Sequence, residues 1–296
     1  MQIVINDEPI SYTLENERTL GQVVAEIEKW LAGQRLAVSA VRSDENELPL
    51  YAPERWTSVS VDGVGTLHVT ASTFREMKLA TLETMRQYLT LMQSGIETRR
   101  DIQLKELLDE YPYIRDSLNE LVGVGNGSQA SSALDALIET SGLLDGAIKD
   151  DETRTALARH IDDLKLIIVD RSREATQPRR EAASTAVLLQ QSIPEISEVS
   201  VLLQTGKDQQ AMASVVRFTE LLGKVVRIVP YLAESNPDLI AGDGSDRSLP
   251  EIASELNGFL HELISAFDAK DSVLIGDLLE YEIAPRVQEI AQLFAA

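Results

Sequence analysis

The sequence predicts an α+β N-terminal domain followed by an all-α domain that consists mostly of antiparallel helical hairpins. Short apolar segments separated by turn residues, with one amphipathic helix among them, occupy residues 1–71. From residue 75 onward the apolar residues recur at helical spacing. A short phrase also occurs twice, as SIPEISEV at 192–199 and as SLPEIASEL at 248–256. We therefore expect domains at 1–72 and 75–296.

The composition argues against several classes of protein. The 296 residues carry a net charge of −21, so most of the surface repels nucleic acid and anionic membranes. No apolar run approaches the roughly 18 residues of a membrane helix, and the N-terminus lacks the pattern of a signal peptide. We expect a cytoplasmic protein without membrane insertion. The chain has no cysteine, which excludes disulfides, thiolate nucleophiles and cysteine-based metal sites.

Five strands and one helix are predicted in the first domain. Turn residues separate the strands, with Asp7–Pro9 between the first two and Asp62-Gly63 before the last. The predicted strands are residues 1–5, 11–15 (with Tyr12 and Leu14 on one face), 35–41, 57–61 and 66–71.

The predicted helix follows the second strand, in the segment RTLGQVVAEIEKWLAGQ. Thr19 is the expected N-cap and Gly33 the expected left-handed C-cap. Four apolar residues form the buried stripe. They are Val23, Ile27, Trp30 and Leu31.

The order β-β-α-β-β-β within about 70 residues is the β-grasp arrangement, and residues 1–71 resemble ubiquitin. The segment opens with MQI, has its helix in the third decade and closes on TLHVTA. The resemblance implies a protein-recognition surface. Two departures from the pattern argue against covalent conjugation: Thr70 replaces an apolar residue of the recognition patch, and no Gly-Gly tail follows. We interpret His68 as a side chain on the outer sheet face and Trp56 as a packing residue.

The second domain is predicted from apolar residues at alternating spacings of three and four. Such narrow stripes are typical of helices that pack along their length on a neighbour. The stripes are Leu82, Met85, Leu89, Met92 and Ile96; Leu157, Ile161, Leu164 and Ile168; Met212, Val215, Leu222, Val225 and Val229; and Ile252, Leu256, Phe259, Leu263 and Phe267.

We interpret the repeated phrase as a device that starts a helix. Its serine can cap the helix, its proline needs no hydrogen bond in the first turn, and its glutamate lies near the positive end of the helix dipole. Each copy leads to a Lys-Asp step, Lys207-Asp208 and Lys270-Asp271. The phrase therefore predicts two helical hairpins, 192–232 and 248–294. Pro285 should bend or interrupt the last helix after Ala284.

Motifs for catalysis and metal binding are missing from the sequence. It contains no H-E-x-x-H, no Glu-x-x-His and no G-x-S-x-G pattern, so we assign no catalytic, cofactor-binding or metal-binding residue. Two groups of acidic residues have leucines between them, which favours a solvated helix face over a catalytic pair. They are Glu106, Asp109 and Glu110, and Asp277, Glu280 and Glu282.

One basic cluster interrupts the acidic sequence. It lies at 171–181 and contains Arg171, Arg173, Arg179 and Arg180. The favoured interpretation is that these arginines pair with neighbouring acids or lie in solvent. The alternative is a phosphate-binding patch, and nucleic-acid binding through it would give salt-sensitive retention on a polyanion column.

Aromatic residues near helix breaks are the candidates for protein contact. Tyr111, Tyr113 and Ile114 surround Pro112, and Tyr231 follows Pro230. Tyrosine is enriched where proteins meet, although core packing is the competing interpretation for each residue.

These observations favour a non-catalytic adaptor, scaffold or chaperone-like binder whose partner is another protein. The acidic surface fits a basic partner and keeps the free chain soluble. The alternative is an enzyme with a carboxylate-lined cleft between the two domains. Several acids with raised pKa values in one pocket would favour the enzyme.

Overall fold

A computed structural model describes residues 1–11, 16–50, 52–122, 131–235 and 248–295. The contacts between Cα atoms divide the chain into two compact units, Met1–Thr84 and Met85–Ala296, called here the sheet unit and the helical unit. The predicted order of an α+β N-terminal region followed by an all-α region is confirmed.

The sheet unit contains a mixed five-stranded sheet with the order β2-β1-β5-β3-β4. The β1 and β5 strands run parallel, and the other neighbouring pairs are antiparallel. Helix α1 supplies one side of the core. This arrangement is consistent with a β-grasp-like segment. The elements are β1 (Gln2–Ile5), β2 (Glu8–Ile10), α1 (Leu20–Ala32), β3 (Leu36–Ser43), β4 (Asn46–Leu48) and β5 (Thr66–Thr73).

The predicted fourth strand and the predicted turn Asp7–Pro9 are wrong in position, and most of the predicted second strand, 11–15, lies outside the described residues. The second strand is Glu8–Ile10, because Asn6 and Asp7 both adopt positive φ and turn the chain earlier than expected. The predicted residues 12–15, including Tyr12 and Leu14, lie outside the described residues. The fourth strand is Asn46–Leu48, whereas 57–61 forms only an isolated bridge between Ser60 and Thr19.

Helix α1 begins as predicted and ends differently. The Thr19 hydroxyl accepts from the backbone N–H of Gln22, whose side chain accepts in return from the Thr19 N–H. Gly33 has right-handed φ of −62°, so the predicted left-handed cap is wrong. Trp30 is 52% exposed and leaves the predicted stripe. Trp56 is buried and donates to the Pro49 carbonyl over 2.8 Å, which confirms its packing role.

The remaining helices follow from β5 to the end of the chain, with α2 crossing the division between the two units. Within the described ranges, every helix is too short or too polar to span a bilayer. The helices are α2 (Phe74–Glu97), α3 (Asp101–Leu107), α4 (Tyr111–Leu121), α5 (Ser132–Ser141), α6 (Asp151–Thr176), α7 (Pro178–Ser197), α8 (Val199–Gln204), α9 (Asp208–Ser235), α10 (Leu249–Ala269), α11 (Ser272–Asp277) and α12 (Ala284–Ala295).

The largest hydrophobic core of the helical unit lies among helices α7 to α12. Helix α7 packs against both α9 and α12, and α8 packs against α9 and α11. The predicted stripes of α2 and α6 are buried throughout, which confirms them. The predicted α9 stripe is partly wrong, because Met212 is exposed while Phe218 and Ile228 are buried. Phe259 and Phe267 in α10 are only partly buried.

The repeated phrase starts a helix in its second copy only. Ser248 caps α10 in a capping box with Glu251. Ser192 instead lies inside α7, where its buried hydroxyl donates to the Leu189 carbonyl, and the helix continues through Pro194. The predicted hairpin start at 192 is therefore wrong, since the helix already begins at Pro178. The Lys-Asp steps do mark helix starts, because Asp208 is the first residue of α9 and Asp271 is the N-cap of α11.

A π-helical segment, Leu278–Ile283, precedes α12. Pro285 lies in the first turn of α12, directly after this segment. Because proline has no N–H to donate, it favours such a wide turn immediately before it. The chain stays helical through Pro285, so the predicted bend or interruption after Ala284 takes the form of a widened turn that ends at Ile283.

Candidate functional site

A groove of about 470 Å³ lies in the helical unit among α6, α7 and α9. The Asp150 carboxylate caps α6 by accepting from the Thr153 N–H, and Pro178 begins α7 immediately after α6 ends. The lining residues that α9 contributes are three or four positions apart or adjacent, so they lie on one face of that helix. The lining residues are Ile167, Asp170, Arg171, Glu174, Leu188, Arg217, Glu220, Leu221, Lys224 and Arg227.

The centre of the charged cluster is one carboxylate between two guanidinium groups. Glu174 is 1% exposed. Its Oε1 accepts from Arg171 Nη1 and from Arg227 Nη2, each over 3.0 Å. Its Oε2 accepts from Arg227 Nε over 2.9 Å. This cluster, Arg171–Glu174–Arg227, joins α6 to α9 and carries one excess positive charge.

Arg171 is the more deeply placed of the two arginines, with 8% of its surface exposed. Its Nε is buried and has no acceptor among the described residues. Burial lowers the pKa of Arg171, and the nearby charge of Arg227 lowers it further, while Glu174 opposes both effects. Because burial is the main cause, the lowered pKa reports chiefly that this guanidinium is removed from water.

The other cations of the groove each have their own acidic partner. Lys224 Nζ donates to Glu181 over 2.6 Å. Arg217 Nη2 donates to Glu195 over 2.8 Å. Leu188 and Leu221 add apolar surface to the walls. The groove therefore combines apolar walls, paired charges at its edges, the exposed acids Asp170 and Glu220, and two arginines that share one buried carboxylate.

The arginine cluster at 171–181 divides into buried and exposed members. Arg171 pairs with Glu174, and Arg173 pairs with Asp170 over 3.2 Å. Arg180 donates to the side chain of Gln177, and Arg179 is exposed. The favoured interpretation, pairing with neighbouring acids or exposure to solvent, is confirmed for these residues.

The predicted contact residues lie in different environments and outside the groove. Tyr111 is buried, and its hydroxyl donates to Asp135 over 2.7 Å. Burial is the main cause that raises its pKa, and the hydrogen bond to Asp135 adds to it. Tyr231 is also buried, Ile114 is half-buried and Tyr113 is 74% exposed. Of these four residues, Tyr113 alone is exposed to solvent. A role of these residues in protein contact stays a prediction.

The two clusters of acidic residues noted in the sequence lie mainly on exposed helix faces, as predicted. Glu106, Asp109 and Glu110 are all exposed. In the second group, Asp277 and Glu280 are exposed, and Glu282 accepts from Arg286.

Among the described residues, the carboxyl groups of Glu76, Asp101 and Asp150 have a lowered pKa. The causes are hydrogen bonds from Thr73 to Glu76, from Arg154 to Asp101 and from Thr153 to Asp150. A lowered pKa keeps the group ionised at neutral pH. Among the described residues, no three His, Asp or Glu side chains converge as a metal site.

The sheet unit has a concave surface of its own, about 600 Å³ in volume, on which His68 lies. His68 is half-buried between the buried Leu67 and Val69 in sequence, which confirms that it points to the other sheet face. Arg42 and Glu47 line the same concavity.

Two family models match separate parts of the chain. Residues 1–73 match the model described as the TP0873 N-terminal domain. Residues 182–293 match the model described as a domain of unknown function, DUF8042. No curated protein and no solved structure gives a significant match. The first match ends with β5, the second spans almost the same residues as the largest core, and neither description names an activity.

Sequence reasoning missed the groove, although one signal for it was available. The stripe of α6 runs through Leu157, Ile161, Leu164 and Ile168, and the next inward position is Arg171. A charged residue at an apolar stripe position requires a buried partner. The partner Glu174 lies on the same helix, but Arg227 is 53 residues away in the chain, and no local pattern indicates that contact.

Proposed function

We propose that this protein is a non-catalytic adaptor or scaffold that binds another protein through the groove among α6, α7 and α9. The observation that carries the proposal is the Arg171–Glu174–Arg227 cluster at the wall of an open, partly apolar groove. Arginines beside apolar pockets are frequent anchors of protein interfaces, since they combine hydrogen bonding with packing area.

The size of the groove supports a protein segment as its occupant. A volume of about 470 Å³ holds a few side chains. Leu188 is 44% exposed, so the groove offers apolar surface to a partner. A partner segment would cover this surface and remove it from water.

The sheet unit is a second recognition module in this proposal. The resemblance of residues 1–71 to ubiquitin and the concave sheet surface around His68 support that role. An adaptor with two modules can hold two partners, or hold one partner at two points and so bind it more tightly.

The test uses the full chain as bait in an extract of its native cell, with Leu188→Glu as the groove variant. The matched control is Val187→Glu, because Val187 is the preceding residue of α7, is 53% exposed and does not line the groove. We expect Leu188→Glu to lose a stoichiometric protein partner that wild type and Val187→Glu both retain.

Equal capture by all three chains would contradict the use of the groove. Circular dichroism and the thermal midpoint of each chain show whether both variants are folded. Purified partner and wild-type chain should then form a complex of defined stoichiometry on gel filtration, which separates direct binding from capture through a third protein.

A further inference from the structure

The unused hydrogen-bond donors of the Arg171–Glu174–Arg227 cluster indicate what kind of group the groove recognises. Arg171 donates to Glu174 through Nη1 alone, and Arg227 donates to it through Nε and Nη2. Within the described chain, Nη2 of Arg171 and Nη1 of Arg227 therefore have no acceptor. Because both arginines bond the same Oε1, these donors belong to neighbouring guanidinium groups.

We infer that the groove binds one oxyanion group, a carboxylate or a phosphate, carried by an apolar segment of the protein partner. This inference rests on the proposed function and adds the chemistry of the bound segment. A planar oxyanion can accept from two guanidinium groups at once, and such charge-assisted hydrogen bonds are stronger than neutral ones.

Charge complementarity favours this occupant over a basic one. Lys224 and Arg217 are already neutralised by Glu181 and Glu195, whereas the buried cluster of two arginines and one glutamate retains one excess positive charge. Asp170 and Glu220 also line the groove, but both are exposed to solvent, which screens their charges, and Asp170 pairs with Arg173. An incoming anion would compensate that charge where burial makes it costly. A basic segment would add a third cation beside two arginines.

The net charge of −21 does not prevent this recognition at physiological salt. The Debye length there is about 8 Å, so distant acidic residues are largely screened while contacts inside the groove are not. The apolar walls at Ile167, Leu188 and Leu221 fit the side chains on either side of the anion. The expected motif is thus a single acidic or phosphorylated residue between apolar residues, without a long acidic run.

Fluorescence anisotropy on the full chain tests this inference with three labelled peptides at physiological salt. Each places one residue between leucines, and that residue is glutamate, phosphoserine or glutamine. We expect the glutamate or the phosphoserine peptide to bind at least about tenfold more tightly than the glutamine peptide. The peptide that binds with the higher affinity shows whether the oxyanion is a carboxylate or a phosphate. Equal binding of all three peptides would overturn the inference.

Variants then locate the binding. Arg171→Lys keeps the charge but loses the forked donor, and we expect about tenfold weaker binding of the preferred peptide. Arg217→Gln, whose side chain is 60% exposed, leaves the core intact and should weaken binding by a smaller factor. Arg159→Gln is the matched control on the same helix, because Arg159 is exposed and does not line the groove.

The outcome separates this inference from the proposed function. If no anionic peptide binds but Leu188→Glu still loses the native partner, the groove binds protein and the oxyanion preference is wrong. If Arg159→Gln weakens binding as much as Arg171→Lys, the peptide is held by general surface charge and the inference is also wrong. A Glu174→Gln variant that folds should bind the peptide more tightly, whereas a purely structural cluster predicts no gain.

Discussion

At the scale of single residues, Asp101 shows how one carboxylate can join three segments of the helical unit. Its two oxygens accept from Arg154 Nη1 and Nη2 over 3.0 and 2.9 Å, and one of them also accepts from the Ile148 N–H. Arg154 Nη1 reaches the Ile96 carbonyl as well. The side chains of Asp101 and Arg154 are 16% and 13% exposed, so solvent screens the pair only in part.

The hydrogen bonds from Arg154 lower the pKa of Asp101 below its ordinary value of 3.8. The Asp101 contribution to stability is therefore complete above about pH 4 and is lost as the pH falls through the folded-state pKa. We expect Asp101→Asn to lower the free energy of unfolding by about 1–3 kcal/mol at pH 7. Urea titrations from about pH 3 to pH 7 should show the difference from wild type shrinking at the acidic end.

The control for this prediction is Asp151→Asn. Asp151 pairs with Arg99, but both side chains are mostly exposed, at 74% and 65%. A surface pair of this kind contributes about 0–1 kcal/mol. If the two variants lost equal stability, the semi-buried position of Asp101 would not explain its effect.

At the scale of elements, the repeated phrase shows that one sequence can have two structural roles. Ser248 caps α10 through a capping box, whereas Ser192 lies inside α7. We expect Ser248→Ala to lower the free energy of unfolding by about 1 kcal/mol, since it leaves an N–H of the first turn without an acceptor. Ser192→Ala should change it by less than about 0.5 kcal/mol, because alanine is the better residue inside a helix. Chemical denaturation of both variants measures the difference, and a larger loss from Ser192→Ala would contradict these roles.

The sequence predicted the elements whose signal is local and repeated. The α2 stripe from Leu82 to Ile96 is buried as expected. It could be predicted because residues three or four positions apart lie on the same face of a helix. The short strand Asn46–Leu48 was missed, since three residues hold no alternation and its pairing with β3 forms in the folded chain. The start of α7 was placed too late because proline and serine inside a helix resemble a helix start.

The candidate groove could not be predicted in the same way. Its parts lie on three helices, and Glu174 meets Arg227 only after those helices pack. The arginine cluster was noticed from the sequence, but local spacing relates Arg171 only to its neighbours on α6. Which arginine is buried depends on the packing of α6 against α9.

At the scale of the whole molecule, the net charge of −21 and the pairing of the arginines predict weak affinity for polyanions. Within the cluster at 171–181, Arg171 and Arg173 form ion pairs with acidic residues. Arg179 and Arg180 have no ion pair with any described residue. Two exposed cations neutralise few phosphates, and the surrounding acids repel the rest of a nucleic acid.

We therefore expect the full chain to pass through a heparin column without retention at low salt, where the Debye length is about 30 Å and repulsion reaches furthest. A double variant, Arg179→Gln with Arg180→Gln, serves as the comparison and should elute at the same volume. Retention of wild type that disappears in the double variant or on adding salt would instead support nucleic-acid binding. The proposed oxyanion would contact Arg171 and Arg227 inside the groove, whereas an extended polyanion would meet the outer surface. The column and the peptide titration therefore test different parts of the molecule.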